Sequence, residues 1–240
     1  DKNGVVSTYS LVYTTTQAYW GGVLDSNGDI HFTPYNANRG QKIDKNGVVS
    51  TYSLVYTAAA AYLGGVLASN GDVIFAPLLC NRGQKIDKSG TVSTYSLVYT
   101  GSTFSGGVLA PNGDVQFIPQ SASVGQKINS SGTVSTYSLI YTTSAAFQGG
   151  VLSISGDIHF VPRNTTIGQK IDINGTVSTY SLTYPNACLG GVLAPSGDIY
   201  FVPFSGSIGQ KISTNGTVST YSLVSTIASA FLGVVLNSNG

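Results

Sequence analysis

The sequence predicts an all-β fold: a six-bladed β-propeller of four-stranded antiparallel blades, each about 42 residues long, with one blade partial or composite. Three observations predict it. The string GGVL starts at Gly21, Gly64, Gly106, Gly149 and Gly190, with a GVVL copy at Gly233, at spacings of 43, 42, 43, 41 and 43 residues. VSTYSL starts at Val6, Val49, Val92, Val134, Val177 and Val218, and GQKI at Gly40, Gly83, Gly125, Gly168 and Gly209. Gly, Ser, Thr, Val and Tyr are abundant and no stretch keeps a helical period, which favours short strands and tight turns.

Within one period the first strand is Gly21–Leu24. Its glycine pair fits the crowded place near a propeller axis, where side chains would collide. The turn Ser26-Asn27-Gly28 leads to the second strand, Asp29–Thr33, which Pro34 ends. A loop of changing sequence leads to the third strand, Gln41–Asp44, and the turn Lys45-Asn46-Gly47 to the fourth, Val48–Tyr56. Asn-Gly between alternating runs signals a two-residue hairpin with both central residues at positive φ, so both turns are expected to join antiparallel neighbours. In the fourth strand Val49, Thr51 and Ser53 face one way and Ser50, Tyr52 and Leu54 the other. Ala58–Ala61 is the best helical candidate and is too short to stand alone. One such sheet cannot bury both faces; stacking copies around an axis does so.

The whole chain, 1–240, reads as a single domain with unit boundaries near 1–20, 21–63, 64–105, 106–148, 149–189, 190–232 and 233–240. Its phase runs from the turn before a fourth strand to just after a sixth first strand. The two ends are expected to share a composite blade, or the chain to be part of a longer repeat array. The absent initiator Met points to a processing site or a section of a longer chain.

In period, strand count and turn placement the unit resembles the kelch-like and WD-like β-propellers, over essentially the whole chain. The Trp-Asp and Gly-His signatures of those families are absent, so the resemblance implies the architecture and little about activity. The near-identical units also resemble propeller lectins, in which equivalent sites repeat around the ring.

A net charge of +1 with only 9% charged residues leaves no electrostatic footprint for nucleic acid. No apolar run reaches the roughly 18 residues that would cross a bilayer. Cys80 and Cys188 stand at non-equivalent repeat positions and read as two small thiols, neither bridged nor metal-bound. His31 and His159 share one place in the second strand, where other copies hold Ile74, Gln116 and Tyr200. That mixture reads as ordinary strand residues and no metal site. Asp29, Asp72, Asp114, Asp157 and Asp198 follow the turn glycine and read as turn residues, expected to pair with Lys42, Lys85, Lys127, Lys170 and Lys211. The hydroxyl-rich runs have no partnered base, and no cofactor fingerprint is present. Asn129, Asn164, Asn174 and Asn215 lie in glycosylation sequons, which matter only in a eukaryotic secretory route.

The two hairpin turns barely change between copies, whereas the connections after the fourth and second strands change in every copy. Antiparallel order puts both variable connections on one face of the disc. That face is the expected place of binding, with Tyr19, Trp20, Tyr35, Arg39, Leu78, Arg82, Arg163 and Phe204 as its candidate residues. The alternative place for Trp20 is between blades. The function expected from these features is a non-catalytic structural or interaction module, extracellular or on a particle surface. It would present this face to a protein partner, without cofactor, catalytic residues or metal. The alternative is a carbohydrate-binding lectin that holds a glycan between blades.

Overall fold

The structure, a computed structural model, describes residues 6, 8–100, 103–184, 188–204, 207–224 and 234. Five four-stranded sheets form the described blades. The first contains β1 (Tyr19–Leu24), β2 (Ile30–Pro34), β3 (Arg39–Ile43) and β4 (Val49–Ser53). The second contains β5 (Tyr62–Leu67), β6 (Val73–Pro77), β7 (Arg82–Ile86) and β8 (Val92–Ser96). The third contains β9 (Phe104–Leu109), β10 (Val115–Pro119), β11 (Val124–Ile128) and β12 (Val134–Ser138). The fourth contains β13 (Phe147–Leu152), β14 (Ile158–Pro162), β15 (Ile167–Ile171) and β16 (Val177–Ser181). The fifth contains β17 (Cys188–Leu193), β18 (Ile199–Pro203), β19 (Ile208–Ile212) and β20 (Val218–Ser222). Strands follow chain order within each sheet. The first strands β1, β5, β9, β13 and β17 pack against one another in turn, so they are innermost.

The repeated glycines explain the joints between blades. In the first four blades the first glycine of the pair, as at Gly64 (φ +77°), sits at a register shift, and a Cβ on Gly64 would stand 3.2 Å from the Cα of Gly106 in the next blade. The second glycine receives a valine from the preceding blade: a Cβ on Gly65 would lie 2.8 Å from Val23 Cγ2, and one on Gly191 2.8 Å from Val151 Cγ2. Between these contacts lie the hydrophobic layers. Each centres on the buried phenylalanine of a second strand, Phe75, Phe117, Phe160 or Phe201.

A buried glutamine ties each blade to the connection that enters it. Gln41, Gln84, Gln126, Gln169 and Gln210 have no exposed surface. Gln84 Oε1 accepts the backbone N–H of Val55 (3.0 Å) and of Tyr56 (2.9 Å). Gln126, Gln169 and Gln210 grip their preceding connections in the same way. This contact corrects the fourth strand. β4 stops at Ser53 instead of running to Tyr56, because the next N–H groups turn to a side chain of the following blade. Gln41 holds Val12 and Tyr13 likewise, so the N-terminal stretch takes the place of a fourth-strand exit from a further blade position. The GVVL copy, 233–236, lies outside the described residues except for Val234.

The hairpin turns also differ from expectation. Positive φ falls on Gly28 and Gly47 and on neither Asn27 nor Asn46. Gly47 N–H bonds Asp44 O (2.9 Å), Asp44 N–H bonds Val48 O (2.9 Å), and Asp44 Oδ1 accepts from Asn46 and Val48 N–H. This is a type I turn closed by a glycine bulge, selected by the Asp that caps it. Ala58–Ala61 forms a turn, with Ala60 at φ +49° and its N–H on Asn36 Oδ1. Among the described residues no helix is long and apolar enough to cross a membrane.

Candidate site at the axial mouth

A cavity of about 720 Å³ opens where the variable connections converge. All five described blades contribute to its wall, which places it on the ring axis. Two repeat positions build that wall. The residue before the glycine pair gives Trp20, Leu63, Gln148 and Leu189, whereas its third-blade equivalent, Ser105, is buried and outside the wall; the residue after each second-strand proline gives Tyr35, Leu78, Gln120, Arg163 and Phe204. Each of these side chains leaves the mouth end of a strand pinned by its neighbours, so the wall is held by the sheets and not by free loops. Ala145 and Asn164 complete the wall.

The wall is mainly apolar and aromatic, with two glutamine amides and one cation, Arg163. Trp20 and Tyr35 are in ring contact, with centroids 5.5 Å apart. Among the described lining residues none is a histidine or a carboxylate. The wall thus offers a surface for rings and branched chains, and a guanidinium for an oxygen that carries or develops negative charge.

The structure brings together five of the eight sequence candidates: Trp20, Tyr35, Leu78, Arg163 and Phe204. Trp20 is 46% exposed and faces the cavity instead of packing between blades. Tyr19, Arg39 and Arg82 are not part of the wall. Arg39 and Arg82 open third strands, farther from the axis, and their carbonyls accept from Tyr19 Oη (2.8 Å) and Tyr62 Oη (3.1 Å). Burial pushes the Tyr19 phenol up to about 12. Leu63, Gln120, Ala145, Gln148 and Leu189 were not singled out by sequence, and Asn164 only as a glycosylation sequon. Leu63, Gln120, Gln148 and Leu189 carry a usable signal: they are the repeat equivalents of Trp20 and Tyr35.

The other clusters are satisfied internally. Each expected Asp–Lys pair forms, from 2.5 Å for Lys42–Asp29 to 2.9 Å for Lys211–Asp198. Potential ligand atoms of Asp25, Asp29 and His31 lie within 4.8 Å of one another. Lys42 already holds Asp29, and Asp25 Oδ1 accepts from the Asn27 and Asp29 N–H groups. Cys80 and Cys188 are buried free thiols, pushed up by burial to about 11 and about 12.

His31 and His159 are buried in β2 and β14, and each Nδ1 contacts a tyrosine hydroxyl, Tyr52 (3.4 Å) or Tyr180 (3.3 Å). Burial lowers both, and brings His159 down to about 4. A depressed imidazole stabilises the fold fully above the unfolded value of about 6.5, and that stability is lost as pH falls towards the folded value. For His159 the loss between pH 6.5 and 4 amounts to about 3 kcal/mol. His159→Gln, which copies the residue at Gln116, is expected to flatten the acid limb of a Tm-against-pH curve.

Fold and cavity together define a β-propeller with a ligand-sized pocket at its axial mouth. The profile of the virginiamycin B lyase family matches residues 1–240, and the chain belongs to that family. Among solved structures, a streptogramin B lyase is similar with a TM-score of 0.82 and 24% identity, covering 94% of this chain and 75% of that one. Selenomethionine-substituted virginiamycin B lyase from Staphylococcus aureus has a TM-score of 0.77 and 21% identity, covering 87% and 71%. A catalytically inactive His-to-Ala variant of virginiamycin B lyase from Staphylococcus aureus, with quinupristin, has a TM-score of 0.77 and 20% identity, covering 90% and 74%. These structures show the propeller fold. No curated protein matches the chain.

Membership corrects two expectations. The family is one of lyases, so the reading as a non-catalytic structural or interaction module, and its lectin alternative, are overturned, as is the expectation that the chain is not an enzyme. Neither expectation had a signal against it, because the described mouth lacks the imidazoles and carboxylates by which catalysis is recognised in sequence. The kelch-like and WD-like resemblance reduces to the shared propeller-repeat architecture.

Proposed function

We propose that the chain is a lyase that takes its substrate into the axial cavity. The observation that carries this reading is the cavity wall, with rings and aliphatic chains around a single described cation, in a chain of a lyase family. A lyase breaks a bond by elimination and adds no water. Negative charge builds up on the fragment that leaves or on the carbon that loses a proton. Arg163 is the wall group suited to stabilise that charge, and Gln120 and Gln148 can donate hydrogen bonds to neutral oxygens. The proton lost in the elimination passes to solvent at the open mouth, since the described wall holds no imidazole or carboxylate to accept it. Trp20, Tyr35 and Phe204 favour a compact substrate with aromatic parts. Virginiamycin B and quinupristin, named with the similar structures, are the first compounds to test.

The test is incubation of the protein with each compound in water enriched in oxygen-18, followed by mass spectrometry. Products without the label are expected. Arg163→Ala is expected to lower kcat/KM about 100-fold, the usual loss for one oxyanion partner. Labelled products would make the protein a hydrolase, and intact substrate at equimolar protein would remove both compounds as substrates.

A further inference from the structure

On the face opposite the mouth, a second cavity of about 290 Å³ lies between the fourth and fifth blades. Its wall includes Ser153, Asp157, His159 and Lys170 of the fourth blade and Thr214 and Asn215 of the fifth. His159 is 7% exposed. Its Nδ1 is taken by the Tyr180 hydroxyl, and no group among the described residues meets its Nε2.

The first blade shows what that nitrogen lacks. There His31 Nε2 meets Asp25 Oδ2 at 3.2 Å. The two sites share one register: Val23 pairs with His31 as Val151 pairs with His159, and Leu24 with Ile30 as Leu152 with Ile158. The residue standing in the place of Asp25 is Ser153. Its short side chain caps the turn, accepting the Asp157 N–H at 3.0 Å, and does not meet Nε2. One repeat therefore carries a carboxylate where the other carries an open cavity.

We propose that this cavity binds a small carboxylate, whose oxygen takes the position filled by the Asp25 carboxylate in the first blade and accepts a hydrogen bond from His159 Nε2. The Tyr180 hydroxyl can donate to Nδ1 or accept from it; when it donates, the neutral ring carries its hydrogen on Nε2, the donor that a carboxylate needs. Burial favours this neutral form. Lys170 and Asp157 pair at 2.6 Å, so their charges cancel at the cavity wall and the ligand brings the negative charge that Asp25 brings elsewhere. A divalent cation is disfavoured, since it would need the lone pair of Nε2 and would face the Lys170 ammonium. The site is separate from the axial mouth and does not rest on the lyase reading.

Two histidines in the chain make the test direct. Protein with isotope-labelled histidine is titrated with sodium acetate against sodium chloride at equal ionic strength, and both imidazoles are followed by NMR. His159 signals are expected to shift saturably with a Kd in the millimolar range, about 1–50 mM, while His31 signals stay in place. Ser153→Asp restores the first-blade pattern with an internal carboxylate. It is expected to weaken acetate binding at least about tenfold and to move the His159 signals towards those of His31. His159→Gln, which installs the third-blade residue, is a second variant and is expected to abolish any acetate-dependent rise in Tm. Equal shifts at both histidines, no shift at His159 up to about 100 mM acetate, or undiminished binding in Ser153→Asp would each overturn the proposal.

Discussion

Gly125→Ala is expected to destabilise the fold by about 3 kcal/mol, the upper range for overpacking a close contact. In each third strand the glycine of GQKI faces the tyrosine of VSTYS on the fourth, as Gly125 faces Tyr137. A Cβ on Gly125 would lie 2.1 Å from Cε2 and Cζ of that ring. The ring cannot swing away freely, because it packs against the buried cluster that contains Ile118, Phe147 and Phe160, in the layer between the third and fourth blades. A glycine inside a strand normally weakens it; here the missing side chain is the seat of an aromatic ring. Chemical denaturation of Gly125→Ala, Tyr137→Ala and the double variant measures the effect. With the ring gone the added methyl has room, so the two costs should fall short of additive by about 2 kcal/mol. Additive costs would mean that the ring and the glycine do not compete for one space.

Gln84→Leu is expected to cost about as much, roughly 3 kcal/mol, by another route. Leucine fills similar volume and deletes the acceptor for two N–H groups, those of Val55 and Tyr56. These bonds are part-buried, and each donor left without its acceptor there carries a desolvation penalty of about 1–3 kcal/mol. The amide nitrogen of Gln84 has no partner, so the loss traces to the oxygen alone. Gln84→Glu separates the two. Glutamate keeps the acceptor and buries a charge, so burial raises its pKa above the unfolded value of about 4.3. Its stability deficit is then smallest at low pH, where the folded state keeps the proton, and grows as pH rises through the raised pKa. Thermal unfolding at pH 5 and pH 8 should show Gln84→Glu closer to the parent at pH 5. A Gln84→Leu variant as stable as the parent would mean that the latch does not hold the joint.

The repeat made most of the fold legible. Strand number per unit, antiparallel order and the sidedness of variable connections follow from residue patterns within about 40 positions. What escaped lies in contacts between units. The alternation in the fourth strand continues to Tyr56, and nothing local says that Gln84, 29 residues beyond Val55, takes its N–H. The candidate site was half legible for a similar reason. Each variable loop after a second strand begins at the mouth and ends at a third strand, so Tyr35 lines the cavity while Arg39, four positions on, does not. Membership of a lyase family was not legible, because the described mouth shows apolar residues, amides and one arginine and no recognisable acid–base set.

The joints and the mouth are made by different residues, and this separation has an evolutionary consequence. Val23 on Gly65, Val66 on Gly107 and Val151 on Gly191 are copies of one fit, and each leaves the wall residue beside it free to vary: Trp20, Leu63, Gln148 or Leu189. Unequal recombination within the gene could add or delete a whole unit without inventing a new interface. Point mutation could change the lining of the mouth one unit at a time, with little penalty in folding. A scaffold of interchangeable parts gives the mouth an unusually large set of reachable chemistries.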